Sequence, residues 1–248
     1  MHYFDIFLIW QGWVYLLILS ALEIVLGIDN IIFISIVTDQ LPSVKKRKAR
    51  NIGLFLALLI RLILLGAVAW IMSLTTPLFN ILGQDFSCQS IILLIGGLFL
   101  IYKSTSEMHK NVKGEEEVEN KIKTKMSAVI LQIVIVDVIF SFDSIISAVG
   151  MTNGMQADTG HNPLSIIYIS VLISMAIMMI FAGKISKFIS DYPTIKMIAL
   201  SFLVTVGVLL VGEAFGAHIP KGYVYFSLVF SLIVELMNIK MRKNRIPK

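Results

Sequence analysis

Seven stretches of about twenty mostly apolar residues follow one another along the chain, and about twenty residues of helix cross the roughly 30 Å hydrocarbon core of a bilayer. They lie near residues 12–37, 52–72, 88–104, 127–150, 164–184, 195–213 and 222–238. Inside hydrocarbon each backbone N–H and C=O must be bonded within the protein, and runs of this length satisfy that as helices. The composition agrees, with 57% hydrophobic residues, 15% charged residues and a mean hydropathy of +0.85 over 248 residues, far from a soluble domain. The expected fold is therefore all-α, a polytopic membrane protein with seven transmembrane helices in a single transmembrane domain over 1–248. The first run exceeds one straight crossing, which predicts an interfacial lead-in around Tyr3 to Trp10 or a break inside it, with Gly27 the place for it. That run lacks a basic leader and a small-residue cleavage site, so it is expected to belong to the mature protein.

Charge sets the expected orientation, because Lys and Arg in short loops stay on the cytoplasmic side. Nineteen of the 21 basic residues sit in four blocks: Lys45 to Arg50, Lys103 to Lys125, Lys184 to Lys196, and a tail from Lys240 to Lys248. The remaining two are Lys221, in a connection on the opposite side, and Arg61, inside a span. This places the N-terminus outside and the C-terminus in the cytoplasm, with a cytoplasmic loop over 105–126 and a basic cytoplasmic tail over 239–248. Glu115, Glu116, Glu117 and Glu119 lie between lysines and offer almost nothing apolar to bury, so that loop reads as a solvated linker. The net charge of +5 is not a nucleic-acid signature, since the basic residues lie in short blocks between spans and not on one exposed face. The lone Cys88 and the lack of a Cys or His pair at zinc spacing give no support to redox or zinc chemistry.

The spans contain an internal repeat. Glu23-Ile-Val-Leu-Gly-Ile-Asp29-Asn30-Ile-Ile in the first is matched by Asp137-Val-Ile-Phe-Ser-Phe-Asp143-Ser144-Ile-Ile in the fourth. Acid, five residues, acid, small polar residue and two isoleucines occur in both, on helices expected to run in opposite directions. The chain then reads as two inverted three-helix repeats, 12–104 and 127–213, with an additional helix at 222–238. In such folds the substrate site lies near the midplane, between repeats.

An acid at the centre of a span costs roughly 2.5–3.5 kcal/mol on insertion scales, so Glu23, Asp29, Asp137 and Asp143 require compensation. One arginine cannot neutralise four acids, which leaves protonation, water or a bound cation for the remainder. With Asn30, Ser144 and Ser141 as a further hydroxyl, the ligand inventory is all oxygen and suits a hard divalent ion such as Mn²⁺, Mg²⁺ or Ca²⁺. The expected metal residues are Glu23, Asp29, Asn30, Asp137, Asp143 and Ser144, with Arg61 either a structural counter-charge or a competitor for the cation. Residues six apart on a regular helix are separated by about 9 Å along the axis and about 120° around it, so one ion cannot bridge both. Either the helices unwind or bulge near Gly27 and Ser141, or the acids are successive stations along a path. Glu107, His109, Asp158, His161, Glu213 and His218 read as ordinary interfacial residues or as an entrance. Met175, Met178 and Met179 read as packing, and Gly96-Gly97 and the Gly212 to Gly216 spacing as close helix approaches.

At these residues the sequence resembles the TerC family of integral membrane proteins, through Leu22-Glu23-Ile24-Val25-Leu26-Gly27-Ile28-Asp29-Asn30 and the block from Asp137 to Ser144. Gly96-Gly97-Leu98-Phe99-Leu100-Ile101-Tyr102-Lys103 and Ile219-Pro220-Lys221-Gly222-Tyr223 look similar too. The resemblance implies a seven-helix bacterial inner-membrane transporter associated with manganese efflux and, by the family's name, with tellurium resistance. It also implies that Glu23, Asp29, Asp137 and Asp143 are the transport residues. The expected function is a secondary exporter of a divalent cation, Mn²⁺ foremost, by alternating access and in exchange for protons. No resident cofactor and no enzymatic activity are expected, and the partners are the cation and the bilayer. The alternatives are a non-transporting membrane partner in metal loading of secreted proteins or in tellurium resistance, and an intramembrane aspartyl protease. The protease reading lacks its Gly-x-Gly-Asp pattern here and leaves Glu23 and Asp137 unexplained.

Overall fold

The computed structural model describes residues 5–81, 84–113, 124–159, 164–217 and 220–245. A short 3-10 turn at Asp5–Leu8 leads into α1 (Trp10–Leu26), α2 (Ile28–Asp39), α3 (Ser43–Gly66) and the one-turn continuation α4 (Val68–Ser73). A hairpin of β1 (Pro77–Ile81) and β2 (Gln84–Ser87) follows, then α5 (Cys88–Lys113), α6 (Met126–Thr159), α7 (Leu164–Asp191), α8 (Pro193–Ala214) and α9 (Gly222–Arg245). Among the described residues seven helical segments are long and apolar enough to cross a membrane, with α1 and α2 together forming the first. Large apolar side chains face outward along them: Leu17 is 70% exposed, Ile63 69% and Phe226 71%, the arrangement expected of a surface solvated by lipid tails. Many helical hydroxyls are bonded back to their own helices, as in Ser35 Oγ to the Ile31 carbonyl (2.6 Å) and Thr38 Oγ1 to that of Ile34 (2.7 Å). This removes their need for water.

Two features depart from the all-helical expectation. The hairpin pairs antiparallel, with Phe79 opposite Phe86, the rings stacked at 5.6 Å, and Asn80 Nδ2 donating to Asp85 Oδ1 at 2.8 Å. Cross-strand aromatic pairs of this kind stabilise short ribbons, and Phe86 also packs edge-on against Phe215 at 5.7 Å. Helix α5 also continues to Lys113, past the start of the loop expected at 105, because Lys103 and Lys110 both pair with Glu107 along its last turns. The acidic stretch from 115 to 119 lies outside the described residues, as do Tyr3, His161 and His218.

The chain forms two compact units that do not coincide with its halves. The first contains α1 to α4, α6 and α7 as far as Ser186, and it assembles around α6, which packs against α1, α2, α3 and α4. Gly53 of α3 lies so close to Ile133 of α6 that a methyl group there would sit 2.8 Å from its Cδ1. The second unit contains the hairpin, α5, α8 and α9. Its main contact is the crossing of α5 and α8, where Gly97 and Gly207 meet backbone to backbone, and a Cβ on Gly97 would stand 2.6 Å from the Gly207 carbonyl oxygen. Small residues allow such approach in membranes, where packing itself drives association. The Gly212 to Gly216 spacing has another purpose. Gly216 has φ 75° and closes α8, with the Ala217 N–H donating to the Gly212 carbonyl (2.9 Å) and the Gly216 N–H to that of Glu213 (3.0 Å). That left-handed position favours glycine.

Candidate functional site

The first span breaks where its only glycine after Gly12 falls. Gly27 separates α1 from α2 with φ −88° and ψ −3°, a helical conformation, and its N–H still donates to the Glu23 carbonyl at 2.9 Å. The helical hydrogen-bond ladder is interrupted there, although Gly27 itself keeps helical dihedrals. The fourth span does not break at all. Helix α6 runs from Met126 to Thr159 through Ser141, which corrects the expectation of a bulge there. Serine carries a Cβ that holds the chain in the helical region, and its hydroxyl bonds sideways without disturbing the ladder.

Those sideways bonds form a buried cluster. Arg61, on α3, is 2% exposed and donates from three nitrogens: Nη1 to Glu23 Oε2 at 3.0 Å, Nη2 to Asp137 Oδ1 at 3.4 Å and Nε to Ser141 Oγ at 3.0 Å. The Ser141 hydroxyl in turn donates to Asp137 Oδ2 at 3.2 Å. Asn30, on α2, donates from Nδ2 to Asp137 Oδ1 at 3.2 Å. Spans one, two and four thus meet at one point, with two carboxylates against one guanidinium. The donor assignment fixes the amide, because turning Asn30 over would set its oxygen against a carboxylate oxygen. Consequently Asn30 Oδ1 is left buried with no hydrogen-bond partner. A buried acceptor without a donor costs about 1–3 kcal/mol, so this oxygen is strained, hydrated or a ligand atom.

The other expected residues are placed less centrally. Asp29 is buried in the first turn of α2, and Ser144 is buried with its hydroxyl donating to the Ser141 carbonyl at 3.2 Å. Asp143, six residues beyond Asp137 on the unbroken α6, is only partly buried. Among the described residues no three of His, Cys, Asp and Glu converge closely enough to hold a metal ion. Glu23 and Asp137 meet at Arg61, and Asp29 and Asp143 do not join them in one group among the described residues. Ser141 belongs at the centre of the cluster, and its signal in the sequence was its place one turn after Asp137, on the same helix face. Met178 of α7 also bears on the site, because its Sδ rests on Gly27 where a Cβ would overlap it. Asp39, at the end of α2, is buried and ion-paired to Lys46 at the start of α3. Of the interfacial residues, Glu107 is buried against Lys103 and Lys110, and His109 is exposed.

Comparison with known proteins accounts for almost the whole chain. A family model described as the integral membrane protein TerC family matches residues 8–247. The UPF0053 protein of Haemophilus influenzae is 46% identical over 94% of this chain and 95% of its own length. The UPF0053 inner membrane protein YgdQ of Escherichia coli is 45% identical, with the same coverage. The Escherichia coli inner membrane protein YoaE is 43% identical over 95% of this chain but only 44% of its own length. No solved structure matches.

Proposed function

This chain belongs to the TerC family of integral membrane proteins, and from that premise we propose that it is a multi-pass inner-membrane transporter that exports a divalent metal cation, Mn²⁺ foremost. The carrying observation is the buried Asn30 Oδ1, unbonded, beside a cluster in which Glu23 and Asp137 share one guanidinium. If both acids are ionised, that cluster keeps one net negative charge in a low-dielectric setting, and both the charge and the orphaned oxygen attract a hard cation. Asp29 and Asp143 lie one step along the same two spans and serve as the neighbouring stations. Ser144 adds a hydroxyl oxygen near the second of these.

The inverted repeats read from the sequence support alternating exposure of these acids, and the family resemblance supports manganese. Exchange for protons is the natural coupling, since a carboxylate binds either a metal ion or a proton. The test is flux of radioactive Mn²⁺ into proteoliposomes containing only this protein, under an imposed pH gradient and with Mg²⁺ and Ca²⁺ as competitors. Gradient-dependent accumulation, lost in Asp29→Asn and Asp143→Asn, is the expected result. The absence of any divalent flux would leave the non-transporting role in metal loading as the better reading.

A further inference from the structure

Arg61 does more than neutralise. Glu23 and Asp137, like Asp29 and Asp143, stand 114 residues apart, and the same step from Arg61 arrives at Met175, an uncharged thioether that is 1% exposed. The two halves each supply an acid to the cluster, and only the first supplies a cation. Its guanidinium spends all three nitrogens on the two matched carboxylates and the serine between them. We propose that Arg61 is a tethered surrogate for the transported ion, so that guanidinium and divalent cation take turns on Glu23 and Asp137. This rests on the reading of those acids as the ion's path.

The reason is electrostatic and geometric together. An ion within bonding distance of Glu23 Oε2 and Asp137 Oδ1 would stand against a fixed like charge in a poorly screened interior. Guanidinium does not lose its proton in proteins, so the conflict is resolved only by displacement of the side chain. A competitor built into α3 weakens ion binding and helps the ion leave. It also keeps two buried carboxylates satisfied between loads, which a neutral residue in that place would not do.

The experiment compares initial rates of Mn²⁺ flux against concentration for the wild-type protein, Arg61→Gln and Arg61→Lys in proteoliposomes. If Arg61 holds the acids about nine-tenths of the time, removing it lowers the apparent KM roughly tenfold. The maximal rate falls several-fold at the same time, because release is no longer assisted. Arg61→Lys, whose point charge cannot bridge both acids, gives an intermediate KM and carries the test if the glutamine variant does not fold. A side chain with only a structural role would leave KM unchanged or raise it, together with a lower melting temperature. Either result in both variants overturns the surrogate while the transport reading stands, whereas no flux in the wild-type protein overturns the transport reading and this inference with it.

Discussion

The amide of Asn30 is held at one end only, and that asymmetry separates stability from function. Its Nδ2 bond to Asp137 contributes about 1 kcal/mol, and its buried oxygen costs a similar amount. Asn30→Ala is therefore expected to change the melting temperature in detergent little, while raising the KM for Mn²⁺ flux about tenfold, equivalent to the loss of one ligand of about 1.4 kcal/mol. Asp137→Asn acts differently, because it removes the surplus negative charge of the cluster and leaves Arg61 paired with Glu23 alone. A loss of about 1–3 kcal/mol in stability is expected, with abolished flux, readable by thermal unfolding and transport on one preparation. The types of these residues and their spacing were visible in the sequence, since acids inside apolar runs have few innocent explanations. The pairing was not visible. Arg61 lies 38 residues from Glu23 and 76 from Asp137, and only the packing of α3 on α6 decides that it bridges them.

At the scale of the helices, glycines decide where elements bend and where they touch. Gly27 was legible as a break because it stands between two acids in a run too long for one straight crossing. That Met178 of α7 packs onto it, leaving no room for even a methyl group, was not legible, since this depends on tertiary packing. Gly27→Leu should cost about 1–3 kcal/mol through overpacking, and Met178→Ala should restore much of it, as a double-mutant cycle in thermal unfolding would reveal. Gly97→Val is expected to be worse. Its new side chain would meet the Gly207 backbone and Val211, which cannot rotate away, so α5 and α8 must separate and the yield of folded protein should collapse. The hairpin at 77–87 escaped sequence reading because its two strands are short and lie between strong helical signals, where a Phe-Phe pair is easily read as one more apolar turn.

For the whole molecule, the basic residues make a prediction that needs no structure. With Cys88→Ser as background, single cysteines introduced at Lys48 and Lys243 should react with an impermeant maleimide only from the cytoplasmic side, and one at Lys221 only from the outside. Uniform labelling from one face would remove the inverted relation between the motifs, and with it the mirrored placement of the acids. Seven crossings and their order were legible because hydrocarbon leaves a long chain few choices. The grouping of spans one, two, four and five in one compact unit, and three, six and seven in the other, depends on close contacts such as Gly97 on Gly207, whose partners no single span announces.

The two motif-bearing spans are mechanically unlike. Helix α6 is a continuous rod of 34 residues, about 51 Å long at 1.5 Å per residue, while its counterpart is jointed at Gly27. On the proposed transport reading, the first span is the one expected to bend, at Gly27, and the fourth to move as a single piece.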